Sequence, residues 1–338
     1  MASSSLTRQA HGVMKAVILS KYGPASALRL GQLPKPAPTA DEVLIRVRAT
    51  AVNDWDWSYA RGRPFLYRLM FGLRKPKIDV LGAELAGTVE AVGDDADTFE
   101  PGDRVYGDIS EAGFGGFAEY ACVSQETVRP MADDMTFEQA AALPHAAMLA
   151  LQGLVDLGKI EKGDRVLING AGGGVGIVGV QICAQYDAAV TGVDSAPKLE
   201  TLRTVGFDDV IDYRQVDFTK NGQRYDLVLD AKTTRSPLRY LRSLKRGGRY
   251  ITVGGRLPRL AQVAILGPLI HRLTGKRLRV LALKPNSDLE HINDLFQTAG
   301  LRPVIDGPYS LSDVPTALER FGEAHHVGKV VITIDEET

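Results

Sequence analysis

A run of glycines after residue 169 is the feature of this sequence best suited to chemistry. It reads Asn169-Gly170-Ala171-Gly172-Gly173-Gly174-Val175-Gly176 and lies between a segment typical of a strand and one typical of a helix. In the dinucleotide-binding fingerprint, Ala171 takes the first glycine position, and Gly173 and Gly176 take the second and third. Gly173 then lets the backbone approach a pyrophosphate at the helix N-terminus, and Gly176 lets the helix pack closely on the strand. The pattern predicts cofactor contacts for Ala171, Gly172, Gly173, Gly174, Val175 and Gly176.

An acidic residue, Asp194, ends the next strand-like segment, where the fingerprint places the residue that binds the adenosine ribose. Its carboxylate can accept hydrogen bonds from ribose hydroxyls and repels a 2′-phosphate. Ser195 and Lys198 follow, and both could bind a 2′-phosphate instead. Ser195 could equally cap the helix that opens at Pro197. The sequence therefore predicts NAD(P)H as the cofactor, with a slight lean to NADH and with NADPH left open.

The elements that must position these residues change character along the chain. Up to about residue 135, short strand-like runs bounded by Gly, Pro or Asp predict a β-rich domain. Phe137–Leu157 is predicted to form one helix with Thr136 as its N-cap. Beyond it, Val/Ile/Leu-rich strands alternate with helices, which indicates a doubly wound parallel sheet. We expect the C-terminal tail, with a last strand at 329–334, to return to the β-rich domain.

Bulk properties exclude several classes of protein. A chain of 338 residues predicts two domains, and a net charge of −1 with scattered Lys and Arg argues against a nucleic-acid or anionic-membrane surface, although a local patch remains open. Two distant cysteines, Cys122 and Cys183, cannot build a disulfide framework or a cysteine-rich zinc site, so a cytoplasmic setting is expected.

The apolar run 261–270 is too short to span a bilayer. Residues 1–13 are interpreted as a flexible extension without a secretory signal; an organellar transit peptide stays open.

With these motifs in view, the chain resembles the medium-chain dehydrogenase/reductase superfamily from Met14 to its C-terminus. The resemblance implies an α/β protein with a GroES-like β-rich catalytic domain, 14–136 completed by 303–338. It also implies a Rossmann nucleotide-binding domain, 137–302, with the active site in the cleft between the two domains. It adds cofactor contacts at Asn53, Tyr213, Val253, Gly254 and Lys329. The shared landmarks are Asn53-x-x-Asp56, Gly82-Ala83-Glu84, Pro101-Gly102-Asp103-Arg104-Val105, Gly116-Phe117-Ala118-Glu119-Tyr120, the glycine loop, Val210-Ile211-Asp212-Tyr213 and Gly328-Lys329-Val330-Val331.

The residues at the metal-binding positions narrow the resemblance. Zinc alcohol dehydrogenases of the superfamily have cysteine where this chain has Asn53 and histidine where it has Ala83. They have a second cysteine where the alignment places His145, and their four-cysteine structural lobe is missing here. Because Glu84 and one imidazole make a poor catalytic zinc site, no metal is predicted. The chain therefore resembles the zinc-free quinone oxidoreductase and enoyl reductase branch.

The resemblance implies catalytic roles around Asn53, which lies near the nicotinamide in that branch, with Asp56 ordering its loop. Tyr59 could donate a hydrogen bond to a substrate carbonyl, and His145 could relay a proton. The structural alternatives are that Trp55 and Trp57 pack in the core and that His145 satisfies a backbone carbonyl. Asn53, Tyr59 and His145 are the candidate catalytic residues.

The predicted reaction is hydride transfer from NAD(P)H to a quinone or to an enone or enal, because such acceptors delocalise the charge that zinc would otherwise stabilise. Two alternatives stay open: a zinc-free alcohol or carbonyl dehydrogenase, and a non-catalytic dinucleotide-binding scaffold. The segments 61–76 and 257–273 combine apolar and basic residues. They predict either a bulky lipophilic substrate or a subunit interface or simple domain packing. The expected partners are a lipophilic carbonyl or quinone and a second copy of the chain, without nucleic acid and without a membrane span.

Overall fold

The computed structural model describes residues 12–334, which fall into two compact units. The first unit takes the described residues of 1–144, 305–325 and 330–338, and the second takes 145–304 and 326–329. This division does not test the domain boundaries that were expected near residues 136 and 303, and they stay predictions. Most of the predicted N-terminal extension, residues 1–11, lies outside the described residues, and the first strand begins at Val13.

Strands form an antiparallel pair and a seven-stranded sheet in the first unit and one parallel sheet in the second. In residues 12–334 they are β1 Val13–Ile18, β2 Arg29–Pro34, β3 Glu42–Ala51, β4 Glu84–Val92, β5 Arg104–Asp108, β6 Tyr120–Ser124, β7 Arg129–Pro130, β8 Arg165–Asn169, β9 Ala189–Asp194, β10 Asp209–Asp212, β11 Tyr225–Asp230, β12 Leu244–Thr252, β13 Arg277–Val280, β14 Ile305–Ser310 and β15 Lys329–Thr333.

Helices pack against strands in both units. The α-helices in residues 12–334 are α1 Asp54–Arg61, α2 Leu66–Phe71, α3 Phe137–Ala141, α4 Pro144–Leu151, α5 Gly174–Ala184, α6 Leu199–Thr204, α7 Pro237–Tyr240, α8 Leu257–Thr274, α9 Leu289–Thr298 and α10 Val314–Gly322. None of the helices in this part of the chain is both long and apolar enough to cross a membrane.

The first unit is built around β3, a strand with apolar residues on both faces. β3 pairs with β4, β6 and β15, and the larger sheet runs β14-β15-β3-β4-β5-β7. β1 and β2 form a separate antiparallel pair. The C-terminal strands β14 and β15 belong to the sheet of the β-rich unit, and Val330, Ile332 and Ile334 complete its core.

The second unit is a six-stranded sheet in the order β10-β9-β8-β11-β12-β13, and every pair in it is parallel. The chain moves outward from β8 in one direction and then from β11 in the other, so the topological switch point lies between these two strands. Dinucleotide-binding folds hold their ligand at the carboxyl edge of such a switch point. The predicted α/β fold class, with a GroES-like and a Rossmann-like domain, is confirmed.

Two predicted elements differ from the structure. The helix expected over residues 137–157 is broken: α3 ends at Ala141, α4 starts at Pro144, and Gln152–Leu157 forms a turn of π-helix. Pro144 has no N–H to continue a helix and disfavours the α conformation of the residue before it, so the chain restarts there. Thr136 does cap α3, and Gln139 completes a capping box with it.

The apolar segment at 257–273, for which no secondary structure was predicted, is the 18-residue helix α8. Apolar residues occur on several of its faces, and Pro268 lies inside it. The repeat of apolar residues every 3.6 positions, which predicts an amphipathic helix, was therefore weak in this segment.

Candidate active site

The loop after β8 turns the chain sharply into α5. Gly170 has a φ of +85°, a conformation that glycine adopts without strain. The N–H of Gly173 donates to the carbonyl oxygen of Gly170 at 3.2 Å, and α5 begins at the next residue. The first-turn N–H groups of α5 therefore point out of the carboxyl edge of the sheet, where a helix N-terminus favours an anion.

Close packing around this loop leaves no room for side chains at several of its glycines. A Cβ placed on Gly176 would lie 2.3 Å from the carbonyl oxygen of Ala171, and one on Gly172 would lie 2.6 Å from Cδ of Lys198. A Cβ on Gly174 would lie 2.8 Å from the stem of Lys329. Gly173 differs, because the nearest atom to its added Cβ is 3.6 Å away. The loop is thus packed from behind and open at Gly173, an arrangement that fits a pyrophosphate lying against the backbone.

Asp194, at the end of β9, fastens the glycine loop. Its Oδ2 accepts the N–H of Gly172 at 2.8 Å, and its Oδ1 accepts the N–H of Ser195 at 2.8 Å. The ammonium of Lys198 lies 3.8 Å from Oδ1, and both side chains are largely buried. Ser195 occupies an N-cap position without a capping bond from its side chain, and its hydroxyl lies 3.4 Å from Asp194 Oδ1. Three of the predicted cofactor residues therefore form one charged cluster under the loop.

The remaining predicted cofactor residues of the second unit also lie near the carboxyl edge. The N–H of Tyr213 donates to the carbonyl oxygen of Asp194 at 3.2 Å, and its ring is exposed. Val253 and Gly254 follow β12 directly. Lys329 is buried against Gly174, next to a backbone hydrogen bond from Gly328 to Gly172. The sheet edge brings these residues together, and their contacts with a cofactor stay predictions.

A buried polar cluster at the switch point was not predicted from the sequence. Asp230, fully buried at the end of β11, accepts hydrogen bonds from Asn169 Nδ2 and the Tyr250 hydroxyl, both at 2.7 Å. Its Oδ1 also accepts the N–H of Thr233 at 2.9 Å. Burial raises the pKa of Tyr250 and of neighbouring Tyr240, so both hydroxyls stay protonated and remain donors. The cluster holds the ends of three central strands in place beneath the glycine loop. The signal for this cluster in the sequence was the polar last residue of two strands, Asn169 of β8 and Asp230 of β11.

In the first unit, Asn53 joins the start of α1 to β4. Its Oδ1 accepts the N–H of Trp55 at 3.1 Å, and its own N–H donates to Oδ2 of Asp56 at 3.0 Å, which completes a capping box. Its Nδ2 donates to Oε2 of Glu84 at 3.2 Å. Asp56 also accepts the N–H of Gly82 at 2.9 Å and is fully buried, so it orders this loop as predicted.

The hydroxyl of Tyr59 is hydrogen-bonded inside the fold, and its contact with a substrate carbonyl stays a prediction. The Tyr59 side chain is only 1% exposed. Its hydroxyl accepts the N–H of Ile78 at 3.1 Å and donates to the carbonyl oxygen of Phe71 at 3.4 Å. Both hydrogen-bonding functions are thus used inside the fold. His145 lies half-buried in the first turn of α4 in the second unit. Its role in proton relay stays a prediction.

The residues at the metal-binding positions do not fit a catalytic zinc ion. Ala83 offers no donor atom, and the amide of Asn53 is hydrogen-bonded to the carboxylate of Glu84. Within residues 12–334 no three His, Cys, Asp or Glu side chains are grouped so that they could hold a metal. Burial also raises the pKa of the Cys122 and Cys183 thiols to about 12, so neither is a thiolate near neutral pH.

Comparison with known proteins assigns the family. Residues 39–133 match a family model described as alcohol dehydrogenase GroES-like domain, and residues 205–332 match one described as zinc-binding dehydrogenase. The chain is 30% identical over 366 residues to the mitochondrial NAD(P)H oxidoreductase RTN4IP1 of Bos taurus, with 98% of this chain and 91% of the relative covered. The chain belongs to the medium-chain dehydrogenase/reductase superfamily, in its quinone oxidoreductase branch.

Other members of the superfamily are similar over most of the chain. The quinone oxidoreductase from Coxiella burnetii superimposes with a TM-score of 0.83 at 27% identity, covering 96% of this chain and all of that one (100%). The 2-methylene-furan-3-one reductase of Solanum lycopersicum is 29% identical over 330 residues, covering 94% of this chain and 79% of that protein. The chain also matches polyketide synthase GfsB of Streptomyces halstedii at 32% identity over 329 residues, 94% of this chain, and spans 6% of that protein's length.

Proposed function

We propose that this medium-chain dehydrogenase/reductase is an NAD(P)H-dependent oxidoreductase that reduces a conjugated carbonyl acceptor, a quinone or an enone or enal, without zinc. The observation that carries the proposal is the glycine loop at the switch point, packed from behind and open at Gly173. A backbone cradle of this kind at a helix N-terminus suits a dinucleotide pyrophosphate.

Each part of the second unit has a task in this proposal. Gly173 and the first turn of α5 bind the pyrophosphate through backbone N–H groups. Asp194 holds the loop through Gly172 and faces the adenosine ribose. The buried cluster around Asp230 keeps the strand ends rigid, which matters because small errors in cofactor position lower the rate steeply.

The choice of acceptor follows from the residues of the first unit. When bound, the reduced dinucleotide supplies a hydride. Asn53 orients the nicotinamide end, as the family resemblance implies, and its bond to Glu84 fixes the amide in one orientation. Since Asn53, Ala83 and Glu84 offer no zinc site, an isolated alkoxide would lack a Lewis acid. An enone or a quinone carries the developing charge in its own conjugated system, so orientation and hydrogen-bond donors at the carbonyl oxygen suffice.

The activities in the names of similar proteins support this proposal. The relatives described above include an NAD(P)H oxidoreductase, a quinone oxidoreductase and a 2-methylene-furan-3-one reductase. One matching family model is described as zinc-binding dehydrogenase. The test below must therefore separate a zinc-dependent enzyme from a zinc-free one.

Steady-state assays with NADH and NADPH against quinones, enones and simple alcohols test the function. We expect turnover of conjugated acceptors that a strong chelator leaves unchanged, and far less than one zinc per chain by elemental analysis of untagged protein. Alcohol turnover without activity on conjugated acceptors would instead indicate a zinc-free dehydrogenase. Tight cofactor binding without any turnover would indicate a scaffold, and one zinc per chain would contradict the zinc-free mechanism.

The preference between cofactors is a second expected result. The carboxylate of Asp194 disfavours a 2′-phosphate, so NADH should bind at least as tightly as NADPH. Replacing Asp194 by Asn removes the charge and keeps an oxygen that can accept the Gly172 N–H. This change should shift the ratio of the two dissociation constants towards NADPH by roughly tenfold. Calorimetric titration measures both constants. A preference of the unaltered protein for NADPH of about a hundredfold, roughly 2.7 kcal/mol, would show that Lys198 and Ser195 dominate the site.

A further inference from the structure

An exposed apolar strip lies on the outer face of α2 in the first unit. Phe65, Leu66, Leu69 and Leu73 are 62%, 53%, 60% and 55% exposed, respectively. A spacing of three residues brings Leu66 and Leu69 to one side of α2, and Leu73 lies in the bend that follows Gly72. Large apolar side chains clustered on a surface in this way mark an interaction site far more often than scattered ones do.

The opposite face of the same segment packs on the rest of the first unit, so the strip is held in place on the surface. The ring of Tyr67 stacks on Trp55 with centroids 5.9 Å apart, and the ring of Phe71 lies 4.8 Å from that of Tyr59. The hydroxyl of Tyr22 donates to the carbonyl oxygen of Gly72 at 2.8 Å. The helix therefore has one side packed on the unit and the opposite side exposed.

Positive charge surrounds the strip. Residues 61–77 contain six Arg or Lys and no Asp or Glu, in a chain whose net charge is −1. Arg63, Arg74, Lys75 and Lys77 are exposed. Leucines beside exposed basic side chains form the pattern of helices that lie in the interface of an anionic membrane.

We propose that the strip, Phe65 to Leu73 with its flanking basic residues, docks this protein on the surface of an anionic lipid bilayer. The leucines would enter the boundary between head groups and acyl chains, and the basic residues would contact anionic head groups. A second copy fits less well, because a symmetric contact would place two rims rich in Arg and Lys against each other. Nucleic acid would leave the four apolar side chains in water. Docking does not depend on the proposed reaction, and it would bring the protein to acceptors dissolved in the bilayer.

Vesicle sedimentation with the full-length protein, without cofactor or acceptor, tests the proposal. We expect at least about tenfold stronger partitioning to phosphatidylcholine vesicles with about 30% phosphatidylserine than to pure phosphatidylcholine, lost at about 0.5 M salt. Replacing Leu66, Leu69 and Leu73 together by serine should weaken binding roughly thirtyfold or more, because apolar contact with the acyl region is removed. Circular dichroism and thermal unfolding show whether the variant is folded.

A competing variant replaces Ile265, Leu269 and Leu273 of α8 by serine, since these side chains are 74%, 55% and 74% exposed in the second unit and Arg272 and Arg277 are exposed near them. It tests whether any exposed apolar helix face among basic residues suffices. This variant should bind vesicles like the unaltered protein. Replacing Arg74, Lys75 and Lys77 by glutamine should remove most of the dependence on anionic lipid and keep the fold. Equal losses from the α2 and α8 variants would overturn the proposal, as would equal binding to neutral and anionic vesicles. A change from dimer to monomer in the α2 variant, with vesicle binding intact, would assign the strip to a second copy instead.

Discussion

Replacing Gly176 by alanine is expected to weaken dinucleotide binding by at least about a hundredfold and to destabilise the protein. The added Cβ would lie 2.3 Å from the carbonyl oxygen and 2.5 Å from the Cα of Ala171, so the loop or α5 must move. Alanine gains about 1 kcal/mol of helix propensity over glycine. Overpacking against backbone costs about 1–3 kcal/mol, so the net effect should be unfavourable. Calorimetric titration and denaturant unfolding measure the two quantities.

Gly173→Ala is the matched comparison. Its Cβ would meet no atom closer than 3.6 Å, and Gly173 has an extended conformation, φ −90° and ψ 170°, that alanine adopts readily. The free energy of unfolding should therefore change by less than about 0.5 kcal/mol. Dinucleotide binding should still weaken about thirtyfold or more, because the methyl group takes the space of the pyrophosphate. If Gly173→Ala binds both cofactors like the unaltered protein, the phosphate does not lie against Gly173.

Replacing Asn53 by alanine is expected to lower the turnover number about a hundredfold while the cofactor dissociation constant changes only a few-fold. The structure adds a second effect. Losing the N-cap costs about 1 kcal/mol, and leaving Glu84 without this buried donor costs roughly 1–3 kcal/mol more. The variant should therefore unfold at lower denaturant concentration as well. Steady-state kinetics, calorimetric titration and denaturant unfolding separate the three quantities.

Two further variants separate capping from chemistry. Serine at position 53 can still cap α1, because its hydroxyl accepts the same kind of hydrogen bond, but it lacks the amide that reaches Glu84. Thr136→Ala removes the corresponding cap from α3 in the same unit. We expect Asn53→Ser to lose turnover like Asn53→Ala, and Thr136→Ala to lose about 1 kcal/mol of stability with turnover intact. Full turnover in Asn53→Ser would show that Asn53 acts only as a helix cap.

The sequence predicted best where the information is local. The strand before the glycine loop, β8, and the next strand, β9, which ends at Asp194, were predicted, because each is a short run of β-branched and aliphatic residues between turn residues. The glycine loop was recognisable because backbone approach to a phosphate demands glycine at set positions. The break before Pro144 was also local, and it was missed because the Ala- and Leu-rich flanks favoured a continuous helix.

Only the tertiary structure decided which side chains are already engaged. The hydroxyl of Tyr59 meets Phe71 and Ile78, and the amide of Asn53 meets Glu84, 31 residues further along the chain. Asp194 reaches back 22 residues to Gly172. Such pairings depend on how strands and loops pack, and a linear pattern of residue types does not record them.

The 61–77 segment shows the same division. Its mixture of leucines, aromatics and basic residues was visible from the sequence, which left a substrate site and an interface equally open. The structure separated the inner side chains, which pack on Trp55 and Tyr59, from the outer ones, which are exposed. Residue type sets what a side chain can contact, and the packing of the whole unit decides which face of a short helix is left for a partner.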